Sequence, residues 1–292
     1  MRIRLLLALL ALCVISVAAK ADWREAAWAQ MRAIAEPILG SGVSTEPRMD
    51  AFYASMVESL PAQAQAERSL QMAINQYQGA SEYVIAQADD WLGEIERSDS
   101  LVTLVATASQ SPRIETRMAG YEVALAMVAV EKTPEQVDQL LGRLDSERDA
   151  SVRFAQWHLG ALAARGVERE RIFQALLEHS YTGDTQRRLY AIQALGIMGG
   201  AEVVEPLLDI ATHGSHPSLR DRAFCGLAQS ATLQLTERYL AVPGLFAIVD
   251  DPNESANMQR LAYQALREIT GLHMLAEEPQ LWRSNLEKSG LL

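Results

Sequence analysis

The sequence predicts an all-α fold, an α-solenoid of helical hairpins stacked side by side, and three observations carry that expectation. One short pattern of small and apolar residues recurs five times at near-constant spacing. A second helical stretch with an apolar centre follows these copies along the chain. No alternation of apolar and polar residues of strand length interrupts them. A lone hairpin has one apolar face too many to be stable, so a neighbour of the same kind must cover it.

The first segment has the layout of a secretory signal. The chain opens "MRIRLLLALLALCVISVAAKADW", with Arg2 and Arg4 ahead of an apolar run from Leu5 to Ala19 that only Ser16 interrupts. Ala19-Lys20-Ala21 supplies the small-x-small pattern of a cleavage site, and the run is shorter than the ~20 residues a membrane span requires. Residues 1–21 are therefore expected to be a signal peptide, cleaved near Ala21, with the product periplasmic or secreted. Cys13 follows the bulky Leu12, which fits lipoprotein cleavage poorly.

Charge and cysteine content narrow the function classes. Of 26 Lys and Arg residues, three (Arg2, Arg4 and Lys20) lie in the signal and no acid does, leaving 23 against 37 Asp and Glu, a net charge of −14. A surface of that sign repels phosphate backbones, so nucleic acid is not an expected partner. The mature chain would keep one of the two cysteines, Cys225, so no intramolecular disulfide can brace it. Cys225 sits in "RAFCGLAQ" and reads as a small buried apolar residue. Stability must come from packing, which a chain with 49% apolar residues can supply.

Residues 22–110 read as an N-terminal helical region around "WREAAWAQMRAIAEPIL", "MDAFYASMVESL", "AQAERSLQMAINQYQ" and "SEYVIAQADDWLGEI", with a loop near Gly40–Pro47. They lack the repeated signature, and divergent repeats are the further reading they allow. Trp23 and Trp28 are five apart and need not share a helix face.

The repeats occupy 111–271. "ETRMAGYEVALAM", "SVRFAQWHLGAL", "RRLYAIQALGIM", "LRDRAFCGLAQS" and "MQRLAYQALREI" align on Ala124, Leu159, Leu195, Leu227 and Leu266, which follow one another after 35, 36, 32 and 39 residues. Small residues beside them, such as Gly160 and Gly196, allow another helix to approach closely. The second helices are "TPEQVDQLLGRL", "VERERIFQALLEH", "AEVVEPLLDIATH" and "LAVPGLFAIVDD". Pro206 and Pro243 fall early in two of them, where a missing N–H costs little. Asp149 and Asp184 are expected to cap helices and to pair with Arg153 and Arg188 four residues on.

This pattern resembles the HEAT-repeat family, in particular the bacterial HEAT-like repeats associated with phycobilin lyases. "DTQRRLYAIQALGIMGGAEVVEPLLDI" carries the resemblance above all, through Asp184, Arg188, Ala191, Leu195-Gly196 and Val204 to Leu208. Val152, Ala228 and Arg267 depart from it. The resemblance covers roughly 112–271 and implies a fold. Tetrapyrrole handling, as a lyase-like or ligand-carrier protein, is the activity it suggests by association, and export places the chain away from that chemistry. Residues 272–292 are expected to form a C-terminal cap, a Pro279-started helix with Leu281, Trp282 and Leu286 on its apolar face.

No catalytic constellation is legible, and no cofactor is expected. Asp209, His213 and His216 could converge on a metal, but the spacing matches no established zinc pattern, and an exposed turn is the plainer reading. His158, between Trp157 and Leu159, reads as a packed histidine. The expectation is a non-enzymatic exported scaffold or adaptor that grips a protein or peptide with a basic patch. Its concave face would be lined by second helices, with Arg169, Arg171, Glu205 and Asp209 setting polarity. A structural subunit of an envelope assembly is the remaining alternative.

Overall fold

A computed structural model of the chain describes residues 48–230 and 232–292. The expected signal segment, Cys13, Trp23, Trp28, the helix expected around them and the loop expected near Gly40–Pro47 lie outside the described residues. Among those described no strand occurs, and one isolated bridge joins Arg48 to Gln78. The fold is all-helical.

Helix starts follow from capping side chains. Asp50 accepts the Phe52 and Tyr53 N–H groups to open α1 (Ala51–Glu58), and Ser98 accepts that of Leu101 to open α4 (Asp99–Ser109). Between them lie α2 (Ala62–Ile74) and α3 (Ala80–Gln87). Then α5 (Ile114–Met127) is followed by α6 (Pro134–Leu141), which Thr133 caps and Pro134 starts. The next pairs are α7 (Asp149–Ala164) with α8 (Arg169–Tyr181), and α9 (Thr185–Met198) with α10 (Val204–His213). α11 (Pro217–Cys225) continues into a π-helical turn at Gly226–Ser230. The short α12 (Leu235–Arg238) leads to α13 (Val242–Asp250). α14 (Ala256–Thr270) and α15 (Pro279–Lys288) complete the order.

First helices pack on first helices. α7 lies along α9, α9 along α11, and α11 along α14, while α6 touches α8, and α13 touches both α10 and α15. The aligned residues form the seam. Leu159, Leu195, Leu227 and Leu266 are fully enclosed and Ala124 is 5% exposed. Burying one such leucine contributes about 1.5–3 kcal/mol. At Gly160 the helix that comes close is α9, the first helix of the next pair, rather than the hairpin partner.

α5 joins two apolar clusters. Its Ala119, Val123 and Ala126 pack with Leu70, Trp91 and Leu101 of the preceding helices. Its Tyr121 and Leu125 belong to the cluster that runs on to Trp282 and Leu286. A helix covered on both flanks needs no polar face, and Thr116, Arg117 and Glu122 are buried on it as well. Glu122 is enclosed between two cations, Lys132 Nζ at 2.6 Å and Arg165 Nε, and Lys132 also meets Asp89 at 2.7 Å. Arg117 donates to the Ser111 carbonyl at 2.7 Å and to that of Gln229 at 3.3 Å.

Several local expectations are corrected. Asp184 does cap α9, accepting from Gln186 and Arg187 N–H, but it pairs with Arg187 at 3.3 Å. Arg188 turns instead to the Ser180 carbonyl and Ser215 Oγ, both at 3.0 Å. Asp149 is the first residue of α7 rather than its cap, and it pairs across helices with Arg187 at 3.0 Å. Arg153 lies over the Tyr190 ring, 5.7 Å from its centre. At Asp149 the partner on a packed helix wins over the one a turn along the same helix. On α15, Trp282 and Leu286 are buried but Leu281 is 38% exposed, one step round the helix from the packed stripe. Cys225 is half-buried rather than enclosed, and partial burial pushes its thiol above the ordinary cysteine value.

Candidate interaction face

The second helices share polar links from pair to pair. Arg171 of α8 meets Asp138 of α6 at 2.6 Å. The Tyr181 hydroxyl at the end of α8 donates to Asp209 Oδ2 of α10 at 2.7 Å. Arg283 of α15 meets Asp250 of α13 at 2.5 Å. These exposed pairs contribute little stability singly, at most about 1 kcal/mol each. They bridge neighbouring helices along the surface between them.

A groove runs along α8. Arg171, Gln174, Ala175, Glu178 and Tyr181 follow one another at helical spacing along one flank, and Leu141 of α6 closes the far side, enclosing about 580 Å³. The opposite flank of α8 carries Ile172 and Leu176 into the core. Ala175 makes the floor because its side chain ends at Cβ. Tyr181 remains 44% exposed beside it. Partial burial, the bond to Asp209 and the charges of Asp209 and Glu205 push the Tyr181 phenol well above its ordinary value. The same bond, with that from His213, holds the Asp209 carboxyl below the usual range.

The four residues expected on this face divide. Arg171, Glu205 and Asp209 are exposed on second helices. Arg169 is elsewhere: it clips the hairpin turns together. Its Nε donates to Glu202 at 2.7 Å and its Nη atoms to the carbonyls of Ala163, Met198 and Gly199 at 2.9, 3.1 and 2.6 Å. The Gly199-Gly200 turn it grips has φ of 62° and 87°, and a β-carbon on Gly200 would run into the guanidinium.

The histidines separate as well. His213 Nδ1 donates to Asp209 Oδ1 at 3.0 Å. His216 Nδ1 accepts from Ser218 Oγ at 2.7 Å and caps α11, so it does not join them. Among the described residues no three His, Cys, Asp or Glu side chains are grouped as a metal would require. His158 packs against the rings of Phe154 and Trp157 and donates through Nδ1 to the Phe154 carbonyl at 2.6 Å. Burial lowers its pKa to about 4.

A second concavity, about 430 Å³, lies between the start of α5 and the turn before α12, bordered by Ile114, Met118, Thr232, Gln234 and Glu237. Its polar groups are taken up internally, since Thr232 Oγ1 donates to the Ile197 carbonyl and Glu237 accepts the Gln234 N–H. Sequence reasoning missed this approach of α5 to the Gln229 region, because nothing in spacing links positions 112 residues apart. It also missed Tyr181, an ordinary helix-end tyrosine until Asp209 is brought to it.

No family model matches this chain, and no curated protein is similar enough to match it. The comparisons therefore add nothing to the HEAT-like resemblance, which is read from the repeat residues alone.

Proposed function

We propose that the chain is an exported α-solenoid of HEAT-like hairpins that holds a protein or peptide partner on its second-helix face and catalyses no reaction itself. The stacking of α7, α9, α11 and α14 supports the solenoid reading. The observation that carries the binding reading is the α8 groove, an open channel with a small-residue floor, an exposed tyrosine and charged rims. Exposed aromatic residues at such positions are where interface energy concentrates. No helix among the described residues is long and apolar enough to cross a membrane. The N-terminal segment supports delivery through a secretory route, with the mature chain starting near Asp22.

The test is in-cell photo-crosslinking with a benzophenone amino acid at Gln174 on the groove, compared with the same group at Glu147 before α7. A discrete crosslinked protein from the Gln174 site alone is expected. Absence of any adduct above background at Gln174 would sink the reading. N-terminal sequencing of the product tests export separately, and an intact Met1 terminus would refute it.

A further inference from the structure

The rims of the α8 groove are not electrically balanced. Arg171 is neutralised by Asp138 at 2.6 Å, Gln174 is tied to Glu170 at 3.0 Å, and Asp209 already accepts from Tyr181 and His213. Glu178 on the groove wall has no ion pair and no side-chain hydrogen bond among the described residues, and neither has Glu205, whose charge acts on Tyr181. Arg188 is a cation whose charge reaches Tyr181, and its guanidinium is engaged by the Ser180 carbonyl and Ser215 Oγ. Glu178 lies one turn before the exposed Tyr181 on the same groove wall, and Glu205 lies one turn before the Asp209 that Tyr181 binds, a setting that attracts a cation through both the acids and the ring face.

The floor asks for something different. Ala175 leaves a dip with half-buried Leu141 and Leu177 at its sides, which an apolar side chain of moderate size would fill. Resting on the adaptor reading above, we propose that the groove takes a partner segment carrying an apolar side chain beside an arginine or lysine. The apolar group sits against Ala175, and the cation lies over Tyr181 within reach of the Glu178 and Glu205 carboxylates. The net charge of −11 on the whole chain favours the same sign of partner over longer range.

A random peptide library displayed on phage and panned against the purified full chain tests this. Peptides pairing Arg or Lys with Leu, Ile or Phe are expected, with binding that weakens as salt is raised. The exposed double variant Glu178→Lys/Glu205→Lys should lose on the order of tenfold or more in affinity, as rim charges reversed against a cation would. Ala175→Trp, which fills the dip, should abolish binding, while Glu94→Lys on a remote exposed site should leave it unchanged. Circular dichroism checks that each variant is folded, and the charge variant decides alone if Ala175→Trp is not. Enriched peptides without a basic bias, or affinity that survives the charge reversal, overturn this assignment and leave the adaptor reading to the crosslinking result. An unenriched library overturns it too.

Discussion

A β-carbon built on Gly160 of α7 would lie 2.6 Å from the Ala194 carbonyl oxygen of α9 and 3.1 Å from its α-carbon. These two first helices touch backbone to backbone, with no side chain between them.

Gly160→Ala sets two effects against each other. Alanine gains about 1 kcal/mol of intrinsic helix stability over glycine, whereas pushing packed backbones apart costs about 1–3 kcal/mol. The obstacle is carbonyl backbone rather than a flexible side-chain tip, so the steric cost is expected to win. Gly142→Ala is the control, because its nearest neighbour at 3.5 Å is an ordinary contact and its φ is −62°. Urea denaturation should show Gly160→Ala less stable, and Gly142→Ala equal to or slightly above the parent.

Glu122→Gln removes the one carboxylate enclosed between Lys132 and Arg165. Breaking a fully buried ion pair costs about 3–5 kcal/mol. Lys132 and Arg165 keep part of their solvent contact, so about 2 kcal/mol is the expected loss, read from the same denaturation series. An unchanged midpoint would show that these charges are better solvated than their enclosure indicates.

His158 makes stability depend on pH. Its folded pKa of about 4 lies below the unfolded value of 6.5, so the unfolded chain binds more protons between those limits. The folded state is unpenalised above pH 6.5, weakens as pH falls from 6.5, and loses no more from this residue below about 4. The full effect is about 3 kcal/mol. A His158→Phe variant should flatten this part of the pH profile, measured by thermal denaturation across that window.

Trp282→Ala removes the side chain that seals the last pair, including its tilted ring contact with Tyr263 and the Nε1–H bond to the Ala276 carbonyl at 2.9 Å. A loss of about 3–5 kcal/mol is expected. On the proposed solenoid reading the damage stays near the lesion. Hydrogen exchange should therefore quicken in α13 to α15 while α2 to α4 keep their protection. Uniform acceleration would mark a single cooperative bundle instead.

Much of the fold was legible because helix pairing is local. The positions of Ala124, Leu159, Leu195, Leu227 and Leu266 follow from spacing alone, and all five are buried in the structure. The cap at Asp184, the prolines at the starts of α10 and α13, and the Gly199-Gly200 turn are equally local. Local rules failed where a partner came from another pair. Arg187 of the next pair took Asp149, and Arg169 was drawn into the turns and off the interaction face.

What the sequence by itself determined is the helical class, the repeat and the identity of its seam, because a period of 3.6 residues writes an apolar stripe directly into the chain. Only the tertiary structure decided where α5 lies, that Arg117 reaches Gln229, and that Leu141 closes the groove bordered by Glu178 and Tyr181. Those are contacts between pairs, set by how far each hairpin turns on the next. Such angles come from the summed packing of many side chains, and no short stretch of sequence encodes that sum.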